Sequence, residues 1–121
     1  MTSKRRKLWT KISANGRDIS VYVVARVDEE GSQAEYDYDT NSINVMEQNA
    51  HEMKQSLHHE LMHVCCDSCG GELRQWALGH RTPKMRAIRE ERIISFLEPR
   101  QYDILVRNGF LKYPDPPRLA K

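Results

Sequence analysis

The stretch His59-Glu60-Leu61-Met62-His63 constrains this chain more than any other. Two imidazoles four residues apart can share one zinc ion when the backbone between them is helical, because a helix brings i and i+4 to the same side. The flanking residues supply that helix. Met53, Leu57, Leu61, Val64 and Cys65 recur at helical spacing from about Asn49 to Cys66. Counted around the helix, both histidines lie roughly opposite this apolar stripe. One side is thus free for a core and the other for a cleft, and Gly70-Gly71 ends the segment.

Glu60 follows the first histidine and projects beside the metal. There it can take a proton from a water on the zinc and pass it to a leaving amine. Catalytic zinc keeps one coordination place open, so a third protein ligand is needed. Three candidates are present. Cys69 holds the place of the last histidine in an H-E-x-x-H-x-x-G-x-x-H pattern, but Cys66 stands where that pattern needs the backbone freedom of glycine. Glu72 is so near the helix end that little chain is left to fold back. A glutamate of the stretch "REERIISFLEPR", residues 89–100 on a following helix, is the third. His58 points about a quarter turn away from the ligands and reads as a supporting or solvent-facing residue. His51 and His80 read as surface residues.

Cys66-Asp67-Ser68-Cys69 raises a competing possibility, a four-ligand structural zinc. Such sites carry two C-x-x-C pairs, or one pair and two well-spaced histidines. Here one pair follows the histidines on the same helix, and a compact site would strain the helix end. A redox C-x-x-C usually opens a helix after a strand, whereas this one ends a helix. The cysteines therefore read as small apolar residues at a helix terminus. Their odd number, three, fits a reducing compartment and places the protein in the cytoplasm.

At 121 residues the chain is sized for one domain, expected to span residues 1–121. A net charge of +2 argues against a basic nucleic-acid binder. Lys4-Arg5-Arg6-Lys7 reads as a solvated tail over about residues 1–8. No apolar run is long enough to span a membrane, and none follows the basic start as in a signal peptide.

Alternation predicts a strand over 18–27, with Ile19, Val21, Val23, Ala25 and Val27 on one side. A turn over 29–33 leads to a second strand, Ala34 to Asp39, with an acidic outer face. A turn at Asp39-Thr40-Asn41-Ser42 precedes a short strand, Ile43 to Met46. These read as a small antiparallel meander. After the motif helix, residues 72–82 could form a short helix stopped by Gly79. Pro83 opens a further helix to about Leu97, whose apolar set is Met85, Ile88, Ile93, Ile94, Phe96 and Leu97. Pro99 is expected to break it, with a third helix from Arg100 to Asn108-Gly109 and a loose tail over about 112–121. Strands followed by helices give an α+β class.

Residues 36–108 resemble the short gluzincin-like metallopeptidases of the ImmA/IrrE type, and more closely the small phage and bacterial proteins built on the same minimal plan. The resemblance rests on "YDYDTNSINV" before the motif, on "SLHHELMH", and on "EERIISFLEPRQYDILVRNGF". It implies a zincin-like fold and a zinc site completed by a glutamate on the second helix, with apolar residues three and six positions on. Glu91 fits, with Ile94 and Leu97; so does Glu90, with Ile93 and Phe96. The helix end "ILVRN" favours the Glu91 register. Amphipathic geometry leans instead toward Glu90, which lies between Ile94 and Leu97 around the helix. A ligand belongs at the edge of an apolar face, beside the cleft, and that tips the choice to Glu91, with Glu90 as the alternative. The CCxxC segment lies outside the family pattern.

The expectation is a zinc peptidase of peptide or protein substrates, holding one Zn2+ through His59, His63 and Glu91, with Glu60 as general base and then acid. Ile43-Asn44-Val45 is expected to be an edge strand that pairs with substrate. Tyr102 and His80 are candidates for stabilising the oxyanion. The alternative is a non-catalytic zinc-stabilised module that binds a phage or host regulatory protein. The sequence does not fix an oligomeric state.

Overall fold

The computed structural model describes residues 6–14, 16–27, 32–68 and 82–119. Over these the chain is a small α+β domain with one mixed sheet and two helices. The strands are β1 (Arg6–Ala14), β2 (Arg17–Val24), β3 (Ala34–Asp37) and β4 (Ser42–Met46). The helices are α1 (Ala50–Ser68) and α2 (Pro83–Arg107).

The sheet order is β1-β2-β4-β3. β1 and β2 form an antiparallel hairpin around Gly16, whose φ of 79° is open to glycine at no steric cost. β3 and β4 form a second antiparallel hairpin, and Asn41 takes a φ of 51° in its turn. The hairpins join through a parallel pairing of β2 with β4, which sets Val21 beside Ile43 and Val23 beside Val45. The expected antiparallel meander is therefore corrected to a mixed sheet. The expected edge role of Ile43-Asn44-Val45 is corrected with it, because β4 is interior and β3 is the edge. Period-2 alternation identifies a strand's faces but not its neighbours.

Ile19, Val21 and Val23 of β2 and Ile43 and Val45 of β4 are wholly buried under Met53, Leu57 and Val64 of α1. Burying each aliphatic side chain contributes roughly 1.5–3 kcal/mol. α1 packs on β3 and β4, and α2 packs on α1. The apolar stripe on α1 thus faces the sheet, as its spacing predicts.

Several sequence expectations change here. Arg6, Lys7 and Leu8 belong to β1 rather than to a tail, and the Arg6 guanidinium sits 4.2 Å above the Tyr22 ring. α2 runs through Pro99 without breaking, so the two expected helices are one. An interior proline costs about 3 kcal/mol, and tertiary packing holds the helix. The packed face carries Glu90, Ile94, Glu98 and Tyr102, on both sides of the proline. Of the expected apolar set only Ile94 is buried; Met85, Ile88, Ile93, Phe96 and Leu97 are exposed. The C-terminal segment is not loose either. Tyr113 and Leu119 pack on the core, Trp9 Nε1 donates to the Pro114 carbonyl at 3.0 Å, and Lys54 pairs with Asp115 at 2.7 Å. The short helix expected over 72–82 lies, save for Thr82, outside the described residues, as do Cys69, Gly70-Gly71, Glu72 and His80. Among the described residues no helix is long and apolar enough to cross a membrane.

Candidate metal centre

Both motif histidines lie on α1 one turn apart, on the side away from the sheet, with ring centroids separated by 5.3 Å. α1 is set up locally by Asn49, whose Oδ1 accepts the Glu52 amide at 2.9 Å in an N-cap arrangement. α2 is set up by Thr82, whose hydroxyl accepts the Met85 amide at 3.2 Å, with Pro83 following it. Where the two helices face each other, one glutamate reaches both imidazoles. His59 Nε2 lies 3.0 Å from Oε2 of Glu91, and His63 Nε2 lies 2.9 Å from Oε1. Ser95, one turn on, donates its hydroxyl to Glu91 Oε2 at 2.6 Å and steadies that carboxylate.

The other ring nitrogens are also held by α2. His63 Nδ1 lies 2.7 Å from Glu90 Oε2, and His59 Nδ1 lies 3.4 Å from Glu98 Oε1. Glu90 and Glu98 are 7% and 3% exposed, so these are interior carboxylates rather than solvated ones. One helix face thus supplies one carboxylate to both Nε2 atoms and one further carboxylate to each Nδ1.

A metal fits this donor set. One ring nitrogen each of His59 and His63 and a Glu91 carboxylate oxygen lie within 4.8 Å of one another. Ligands about 2 Å from a tetrahedral ion sit roughly 3.3 Å apart, near the 3.0 and 2.9 Å between the Nε2 atoms and Glu91. Metal-binding histidines almost always give their second nitrogen to a carboxylate, carbonyl or water, which fixes the ring and raises its basicity. Without a metal the same contacts act as ion pairs. For His59, the Glu98 contact is the main influence raising its pKa, against burial and with help from Glu91 and Glu60. For His63, burial opposes charge, but Glu90, Glu60 and Glu91 outweigh it and raise the pKa to about 9. Burial likewise works to raise Glu91, yet the Ser95 hydroxyl and both histidines bring it below the usual range. The site is built to hold positive charge, which a divalent ion supplies once the protons leave.

No protein-family model, curated protein or solved structure matches this chain. Its function is therefore read from the site itself.

The centre opens on a cleft of about 1060 Å³ between β3, α1 and α2. Glu60, 9% exposed, lines this cleft beside His59. Tyr36 and Tyr38 form the wall on the β3 side, ring edge to ring face at 6.3 Å. The sequence-derived residues His59, Glu60, His63 and Glu91 are thus brought together, and Glu90 sits behind His63. Others are placed elsewhere. Tyr102 is buried among His58 and His51 rather than lining the cleft, so the candidate oxyanion role is withdrawn. His58 does not face solvent; it is 7% exposed. His51 is exposed, as expected. Sequence reasoning missed Glu98 and Ser95. A signal was available, because positions four and seven after Glu91 share its side of a helix.

Proposed function

We propose that this protein is a zinc-dependent peptidase acting on an extended segment of a peptide or protein. The observation that carries the proposal is the convergence of both motif Nε2 atoms on Glu91 while Glu90 and Glu98 hold the Nδ1 atoms. Zinc, when bound, supplies Lewis-acid polarisation of a water and of the scissile carbonyl. His59, His63 and Glu91 would hold it, and three protein donors leave the open place that a hydrolytic site requires. Glu60 accepts the proton of the attacking water and returns it to the leaving amine. Its seclusion in the cleft, at 9% exposure, suits a group that must pass a proton without losing it to bulk solvent. β3 carries an outer edge with no strand beside it among the described residues, and the same strand borders the cleft. A substrate chain can add there as a further strand, with its side chains beside Tyr36 and Tyr38.

This reading agrees with the resemblance to ImmA/IrrE-type metallopeptidases, and the intended target would be a protein within the same cell. The test compares zinc content and cleavage of a labelled unfolded protein by the wild type and Glu60→Gln. Glutamine keeps the size of glutamate but cannot accept the proton, so zinc should stay at one per chain while cleavage falls at least about 100-fold. Retained zinc with no cleavage by either protein would favour the non-catalytic zinc-stabilised module. Loss of zinc in the variant would make Glu60 a ligand and overturn the assignment.

A further inference from the structure

We infer that Tyr113, in the segment after α2, is a positioning residue for the metal centre, acting through the buried His58 that precedes the ligand His59. The inference rests on the metal-site reading above. His58 is 7% exposed, and both of its ring nitrogens are engaged. Nε2 lies 2.9 Å from Gln101 Oε1, and Nδ1 lies 2.7 Å from the Tyr113 hydroxyl. With Gln101 oxygen as acceptor, Nε2 carries the hydrogen and Nδ1 accepts from Tyr113. The His58 ring also lies against Tyr102 and Tyr113, at 5.2 and 5.9 Å between centroids. Burial pushes the Tyr113 phenol well above its ordinary range, so its hydroxyl remains a donor.

Two consecutive histidines of α1 are therefore held by two residues of α2 one turn apart. Gln101 takes His58, and Glu98 takes His59. Fixing the His58 ring fixes the rotation of α1 and its spacing from α2 at the turn that carries the first ligand. Ligand sets tolerate only small errors in such placement, roughly 0.5 Å. The segment that brings Tyr113 is itself tied down on both sides. Lys54 of α1 pairs with Asp115, Trp9 of β1 holds the Pro114 carbonyl, and the Leu119 amide donates to Glu47 at 2.8 Å. The chain that follows α2 is thus braced against β1 and α1, and it delivers one hydroxyl to the residue beside the ligand.

Competition with a chelating indicator, at a temperature well below unfolding, measures zinc dissociation constants for the full chain and its variants. Tyr113→Phe removes the hydroxyl and keeps the ring. Gln101→Leu, at an exposed helix position, removes the other partner. Each should raise the zinc dissociation constant about tenfold, the usual effect of losing a group behind a ligand. The metal-free variants should melt lower by no more than the loss of one buried hydrogen bond explains, and the zinc affinity should fall beyond that. Lys54→Ala, which loosens the same segment without touching His58, should stay within about twofold. Zinc affinities within twofold of wild type for both Tyr113→Phe and Gln101→Leu would overturn the inference and leave the metal site standing. So would an affinity loss that simply follows a lowered metal-free melting temperature. A wild type that binds no zinc would overturn both readings.

Discussion

Glu90 and Glu91, consecutive on α2, divide the His63 ring between them. Glu90 takes Nδ1 at 2.7 Å and Glu91 takes Nε2 at 2.9 Å. Their side chains leave the helix about 100° apart, and His63 is inserted into that angle. The two residues therefore have different duties at one imidazole. Glu91 is the carboxylate that His63 shares with His59, and Glu90 holds the back of the His63 ring.

A hierarchy of zinc affinities follows. Glu91→Ala removes a donor and should weaken binding more than about 100-fold. Glu90→Gln and Glu98→Gln each disturb one ring and should cost about 10- to 100-fold. Titration against a competing chelator orders the variants. An effect of Glu90→Gln exceeding that of Glu91→Ala would exchange the two roles.

The pH dependence of stability should change sign with metal. In the metal-free protein, His63 is raised to about 9 against an unfolded value near 6.5. Its contribution is fully present below pH about 6.5 and is lost as pH rises through about 9. The span is roughly 3 kcal/mol at most. With zinc, protons compete for the ligating nitrogens, so stability should instead rise with pH over this range. Urea titrations at pH 6, 7.5 and 9, with and without zinc, check both slopes. Calorimetry at pH 7 in buffers of different ionisation enthalpy should show more than one proton released per zinc. Parallel pH trends with and without metal would remove the histidines from the site.

The cysteines should be dispensable for metal. Cys66→Ser combined with Cys69→Ser is expected to keep one zinc per chain, since serine is a poor zinc ligand and the described donor set contains no sulfur. Elemental analysis of the double variant decides this. A metal-free product would return the third ligand to Cys69.

Asn49→Ala should destabilise the protein by about 1 kcal/mol, because the Glu52 amide loses its side-chain acceptor. Chemical denaturation of the metal-free protein measures it. The zinc affinity should hardly move, since Asn49 lies more than two helical turns before His59. A large loss of affinity would mean that fraying at the start of α1 reaches the site.

The site was legible where its information is local. His59 and His63 are related by one helical turn, so spacing alone brings them together. The carboxylate that faces both imidazoles was legible to within one residue, because neighbouring positions on α2 differ in direction and only the docking of α2 on α1 selects between them. Helical spacing places Glu98 on the Glu91 side of α2, but its pairing with His59 depends on the same docking and could not be read. β1 was obscured by Lys4-Arg5-Arg6-Lys7, although Trp9, Thr10 and Ile12 carried strand propensity. Ile93, Phe96 and Leu97 were misread because apolar character permits burial without requiring it. Pro99 was misread because a local cost can be offset by packing on both sides of it.

The parallel seam between β2 and β4 also bears on the order in which the chain comes together. Each hairpin, β1–β2 and β3–β4, can close from neighbouring residues, but an isolated hairpin is barely stable in water. Joining them sets Ser20 beside Ser42, across a loop whose ordering cost falls due before the contact is made. The meeting of two preformed hairpins is thus the expected slow event of folding. β3 lies beyond β4, so the wall of the cleft arrives only with the second hairpin.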